Sequence, residues 1–255
     1  MSAAVSAASQ GLLAGFELVV FDKDGTLIEF HAMWGGWMAT LAAGIDSAVA
    51  AREPALATAV VGPLYRVMGV DPATGRVDPH GALAATPMAV LRWLTVETVV
   101  GLGLSPSAAD AAVARAWHAP DPVALARPMT DLVALFRSIH EAGALVAVAT
   151  SDDRAPTERT LAALGVSALV DATVCADDGI PVNPAPEMIL AICRRLGIEP
   201  SRTAMVGDST MDLQMGRAAA VGACIGVLSG TGTLEGLGPL ADAVILSVAE
   251  LLPDA

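Results

Sequence analysis

Apolar residues along this chain gather in two kinds of run. The first kind is short and continuous. Leu18-Val19-Val20-Phe21 stops at Asp22-Lys23-Asp24-Gly25, Leu145-Val146-Ala147-Val148-Ala149 at Thr150-Ser151, and Thr203-Ala204-Met205-Val206 at Gly207-Asp208. Weaker runs of this kind lie at 172–175, 223–227 and 243–246. Unbroken apolar runs bounded by turn residues predict strands covered on both faces, and so a parallel sheet. The second kind repeats at helical spacing. Leu132, Leu135, Phe136 and Ile139 predict a helix over 131–142, and 157–164, 187–196 and 211–220 follow the same rule. Gly143, Gly165, Gly197 and Gly222 stand where those helices are predicted to stop. Strands alternating with helices predict a doubly wound α/β fold, in which ligands bind beyond the carboxyl ends of the strands. The polar turns named above all lie at those ends.

Residues 31–122 break the alternation. They carry long helical patterns, no clear strand, all four tryptophans (Trp34, Trp37, Trp93, Trp117) and the only tyrosine, Tyr65. Pro120, Pro122 and Pro128 mark the return to the α/β pattern. The predicted division is a fraying segment at 1–15 rich in Ala, Ser and Gly, an α/β core at 16–30 and 123–255, and a helical insertion at 31–122.

Composition narrows the function. The 255 residues hold 27 acids against 14 bases, a net charge of −13, which argues against a nucleic-acid partner. The mean hydropathy is +0.59, but much of the apolar count is alanine, which is only weakly hydrophobic, and the uncharged stretches are too short and too often broken for a membrane span. Residues 1–10 contain no Lys or Arg, so no signal peptide is predicted. Cys175, Cys193 and Cys224 fit no zinc or redox spacing and read as free thiols of a cytoplasmic protein.

Two segments carry candidate chemistry. In Phe21-Asp22-Lys23-Asp24-Gly25-Thr26-Leu27, two carboxylates two residues apart leave a buried strand, one suited to nucleophilic attack and the other to proton transfer. Standing alone, Asp-x-Asp-Gly also reads as an ordinary solvated turn. In Gly207-Asp208-Ser209-Thr210-Met211-Asp212, Asp208 and Asp212 share one face at a helix start and suit a hard cation such as Mg²⁺. Asp208, Ser209 and Thr210 are equally good N-caps. Thr150 offers a hydroxyl for a phosphoryl oxygen, or caps a turn.

Taken together and in this order, these motifs resemble the haloacid dehalogenase-like hydrolase superfamily. The nearest resemblance is to its phosphoglycolate phosphatase-like branch, with a helical cap inserted after the first motif. The resemblance runs from about residue 16 onward. It implies an Asp22 nucleophile that becomes an aspartyl-phosphate and an Asp24 general acid and base. It implies Mg²⁺ on Asp22, Asp24 (through its backbone carbonyl) and Asp208, with Asp212 as a further acidic residue. Thr150 matches the phosphate-binding hydroxyl, assisted by the Ser151 backbone. The implied substrate is a small phosphorylated metabolite. A sugar phosphomutase of the same superfamily and a non-catalytic phosphate-ligand binder are the alternatives. A monomer and a homodimer both remain open.

One position departs from that pattern. The family places a Lys before Pro-x-Pro, and this chain has Asn183 before Pro184-Ala185-Pro186. Asn donates hydrogen bonds but adds no charge. Lys23 is the only lysine in the chain, and strand alternation points its side chain away from both neighbouring aspartates. Arg154 is the better-placed substitute cation, whereas Arg194 and Arg195 lie about three helical turns beyond Asn183. The cap residues His31, Met33, Trp34 and Trp37 follow the first motif closely, as substrate contacts or as cap core.

Overall fold

The computed structural model describes residues 11–78, 81–86, 88–118 and 122–252. The chain divides into two compact units, one running up to Phe30 and resuming at Pro122, the other spanning His31–Asp121. Pro120 lies outside the described residues, as do residues 1–10 of the segment expected to fray. Gly11 to Gly15 of that segment form a turn rather than a frayed end, because Leu12 and Leu13 pack against the core.

The first unit is built on one six-stranded parallel sheet: β1 (Leu18–Phe21), β2 (Leu145–Ala149), β3 (Ala172–Val174), β4 (Thr203–Gly207), β5 (Ala223–Val227) and β6 (Ala243–Ile245). Their spatial order is β3-β2-β1-β4-β5-β6. The chain winds outward from β1 in one direction and, from β4, in the other. The switch point therefore falls between β1 and β4, where Phe21 stands opposite Val206.

In the second unit α1 (Phe30–Ala50), α2 (Val61–Met68), α3 (Ala82–Ala85), α4 (Met88–Gly101) and α5 (Pro106–Ala116) follow one another. Trp37 is fully buried there, edge-on to Trp34 and Trp117, with Nε1 donating to the His118 carbonyl at 2.8 Å. Buried indoles of this kind need a partner for the N–H, and the backbone supplies it. Met33 is buried too, and His31 Nδ1 accepts from the Val77 amide at 3.1 Å. No described helix is long and apolar enough to cross a membrane.

The first unit adds α6 (Pro122–Leu125), α7 (Leu132–Glu141), α8 (Arg154–Ala163), α9 (Glu187–Leu196), α10 (Thr210–Ala218) and α11 (Leu234–Leu237). Alternation within β1 sends Leu18 and Val20 to one face of the sheet, against Met188, Ile189 and Ile192 of α9 and Leu213 and Met215 of α10. Val19 and Phe21 face the other way, against Leu132, Leu135, Phe136 and Ile139 of α7. Phe136 and Phe21 lie 5.6 Å apart ring to ring. Truncating Phe136 to Ala would cost about 3–5 kcal/mol, the usual range for a buried aromatic. Asp131 caps α7 by accepting from the Ala134 amide at 2.9 Å.

Gly143, Gly165 and Gly197 end their helices with positive φ, as expected. Gly222 does not: Ala220 takes the left-handed conformation instead, at φ 56°. Gly222 is required for closeness, since a Cβ there would sit 2.3 Å from the Ser201 carbonyl. Helix α8 starts at Arg154, three residues ahead of its expected start, because a proline in the first turn forfeits no helical hydrogen bond.

Candidate active site

Hydrogen bonding continues past the end of β1, and the Asp22 amide donates to Val206 at 2.9 Å. This fixes Asp22 beside the end of β4, where Asp208 follows. Gly25, at φ 94°, turns the chain back so that its amide reaches the Ile28 carbonyl at 2.8 Å. Helix α10 begins with a reciprocal cap. Ser209 Oγ and its amide donate to Asp212 Oδ2 at 2.6 and 3.0 Å, and the Asp212 amide returns to Ser209 Oγ at 3.2 Å. Ser209 is thus the N-cap, and the cap itself aims Asp212 back at the strand ends.

The result is a cluster of three buried carboxylates, Asp22, Asp208 and Asp212, offering oxygens within 4.8 Å of one another. Burial raises the Asp22 pKa well above the usual carboxylate range, and the charges of Asp212, Asp208 and Asp24 add to it. Burial and the Asp212 charge push Asp208 up to about 7. Asp212 is raised by burial against the opposing hydrogen bonds from Ser209 and Asn183. Hard oxygen donors converging without a cation of their own fit a hard divalent ion, which removes the repulsion that raises these groups. Among the described residues, Asp22, Asp208 and Asp212 are the side chains grouped so that they could hold one.

Asp24 lies apart from that cluster. Both of its oxygens accept from Lys23 Nζ at 2.7 Å, and Lys23 also meets Asp152 at 3.3 Å. The expectation that Lys23 points away from its neighbours is corrected here. Strand β1 ends at Phe21, so alternation no longer governs the turn, and an ammonium buried to 1% exposure must find carboxylates. Burial would lower the Lys23 pKa, but Asp24 and Asp152 outweigh it and hold the group charged.

Thr150 is buried at the end of β2, its hydroxyl oxygen accepting from the Asp152 amide at 3.2 Å. Ser151 Oγ donates to Asn183 Oδ1 at 2.6 Å, and Asn183 Nδ2 donates to Asp212 Oδ1 at 2.7 Å. Asn183 therefore links the β2 and β4 ends as a neutral bridge. Arg154, the expected substitute cation, faces elsewhere. It pairs with Asp178 at 2.5 Å and Glu158 at 3.3 Å, and donates to the Thr173 carbonyl. Asp178 and Glu158 draw its fork outward, away from the cluster.

Sequence reasoning missed the loop after β5. The Thr231 amide and hydroxyl donate to Asp208 Oδ2 at 2.6 and 3.0 Å, and Ser229 Oγ donates to the Gly25 carbonyl at 2.6 Å. Gly230 lets this loop close in, since a Cβ there would lie 2.0 Å from Asp208 Oδ2. The available signal was the run Ser229-Gly230-Thr231-Gly232 after an apolar segment, at the end of the strand next to β4.

Fold and site together define a doubly wound α/β protein with a buried carboxylate cluster at its topological switch point. The chain belongs to the haloacid dehalogenase-like hydrolases, whose family model matches residues 16–220. It is 29% identical over 209 residues to the phosphoglycolate phosphatase of Rhodospirillum rubrum, covering 80% of this chain and 76% of that one. It is 34% identical over 93 residues to the N-acetylmuramic acid 6-phosphate phosphatase of Pseudomonas aeruginosa, covering 36% of this chain and 41% of that one. The chain thus spans well under half of the second relative's length. The fold is also that of a HAD-superfamily hydrolase, subfamily IA, variant 1, from Geobacter sulfurreducens PCA. That crystal structure has a TM-score of 0.57 at 17% identity, covering 94% of this chain and 98% of that one.

Proposed function

We propose that the protein is a phosphoric monoester hydrolase: a Mg²⁺-dependent phosphatase acting on a small, phosphoglycolate-like phosphomonoester through an aspartyl-phosphate on Asp22. The carrying observation is the convergence of Asp22, Asp208 and Asp212, in a chain similar to proteins named phosphoglycolate phosphatase and N-acetylmuramic acid 6-phosphate phosphatase. Mg²⁺ on these carboxylates supplies charge neutralisation for the nucleophile and the phosphoryl oxygens. Asp22 attacks phosphorus and Thr150 donates to a phosphoryl oxygen, with the Ser151 backbone beside it. Asp24 gives its proton to the leaving oxygen, then takes one from the water that releases phosphate. Asn183 holds Ser151 and Asp212 in place without adding charge, so catalysis lacks one cation that the family pattern has. Residues 31–121 act as the cap that selects the ester, and the free, buried thiols suit a cytoplasmic location.

The test is phosphate release from a panel of small phosphomonoesters in Mg²⁺, wild type against Asp22→Asn. Release by the wild type and none by the variant is expected. Equal behaviour of the two proteins on every ester would falsify the proposal and leave a phosphate-ligand binder.

A further inference from the structure

Lys23 is the only lysine of the chain, and it is almost fully buried. Its Nζ lies 2.7 Å from both Asp24 oxygens and 3.3 Å from Asp152 Oδ2. Its two partners come from the ends of different strands, Asp24 after β1 and Asp152 after β2. A buried ammonium costs several kcal/mol unless it is paired, so this lysine is tolerated only in that company. Among the described residues it is the one cationic side chain paired with an acid of the site. Arg154 is turned to Asp178 and Glu158, and position 183 is neutral.

We infer that Lys23 is a positioning residue for proton transfer: it holds the Asp24 carboxylate by both oxygens, and Asp152 holds Lys23. The inference rests on the phosphatase reading, in which Asp24 serves the leaving group. One nitrogen bridging two oxygens of a carboxylate fixes its rotation, and an anchor from β2 ties that rotation to the Thr150 end of the site. In the forward step the proton leaves Asp24 for the ester oxygen as the P–O bond breaks, and Asp24 becomes the carboxylate seen paired with Lys23. In the second step water loses its proton to Asp24 as its oxygen bonds to phosphorus and the bond to Asp22 breaks. Lys23 keeps its own proton throughout. When Asp24 is protonated and pulls less on the lysine, Asp152 keeps the ammonium in place.

The test compares an alkyl phosphate, whose alkoxide leaves poorly without a proton, with p-nitrophenyl phosphate, whose phenolate leaves readily. With saturating Mg²⁺, Lys23→Met is expected to lower kcat on the alkyl ester about 100-fold and on the nitrophenyl ester less than about 10-fold, in line with the usual size of general-acid contributions. Lys23→Arg keeps the charge and moves the ratio of the two rates back toward wild type. Asp152→Asn shifts the ratio in the same direction as Lys23→Met, and adds nothing in the Lys23→Met background. It also carries the test should Lys23→Met fail to fold, because Asp152 is part-exposed. A uniform loss on both esters, or full additivity of the two substitutions, overturns the inference alone. A wild type that releases phosphate from neither ester overturns the phosphatase reading with it.

Discussion

Asp208→Asn is expected to stabilise the metal-free protein, although it removes a residue of the site. Folding lifts the Asp208 pKa from 3.8 to about 7, through burial and the Asp212 charge. The folded state therefore binds this proton more tightly than the unfolded state. Stability is highest below the unfolded value, falls as pH rises from about 4 to about 7, and carries the full cost above that. At ~1.4 kcal/mol per pH unit the gap amounts to about 4 kcal/mol, an upper bound because Asp22 and Asp212 share the repulsion. Asn keeps the oxygen that accepts from Thr231 and turns the remaining position into a donor toward its acidic neighbours. For a protein of this size each kcal/mol moves Tm by about 2–4 °C, so the variant should melt above wild type at pH 8 in chelator, by at most about 8–16 °C. The gap should narrow at pH 5. Excess Mg²⁺ should reverse the order, since only the intact cluster gains binding free energy. Thermal unfolding by circular dichroism at both pH values, with and without Mg²⁺, reads all of these. A variant that melts below wild type at pH 8 without metal, or a gap unchanged by pH, would refute the reasoning.

Three further substitutions probe separate parts of the site. Asn183→Lys should raise turnover on a generic phosphomonoester at saturating Mg²⁺, because it supplies a cation at the Ser151–Asp212 bridge, and a steady-state rate no higher than wild type counts against that electrostatic account. Gly230→Ala should cost about 1–3 kcal/mol in urea unfolding and weaken Mg²⁺ binding by calorimetry, because its Cβ would collide with Asp208. Ser209→Ala should cost about 1 kcal/mol as a lost cap and also lower kcat, since the same hydroxyl holds Asp212; a stability loss with unchanged kcat would confine Ser209 to capping.

The parts legible in the sequence are those set by neighbours along the chain. Continuous apolar runs ending in Asp22, Thr150 and Asp208 give the strands, and because parallel strands align their carboxyl ends, they give the cluster too. What was not legible depends on contacts between distant segments. Lys23 was misplaced because strand alternation was carried past Phe21, where β1 ends, while its second partner, Asp152, comes from the loop after β2. Arg154 was read as a substitute cation from its place after Thr150, but Asp178 and Glu158 lie closer to its fork. The Ser229–Thr231 loop belongs to the site only because β5 lies beside β4, an adjacency that chain order alone does not reveal. Gly222 was assigned to a helix end by type, whereas the close approach of the Ser201 carbonyl is what demands it.

The most direct test of an Asp22-centred phosphatase is to trap the phosphoryl enzyme. Wild type and Asp22→Asn would be mixed with a radiolabelled phosphomonoester in Mg²⁺, quenched in acid within the first turnover, digested and mapped by mass spectrometry. The account predicts an acid-stable, alkali-labile phosphoryl group on the peptide containing Asp22 in the wild type, and none in the variant. Phosphate released by the wild type with no labelled Asp22 peptide, or label retained by Asp22→Asn, would contradict it.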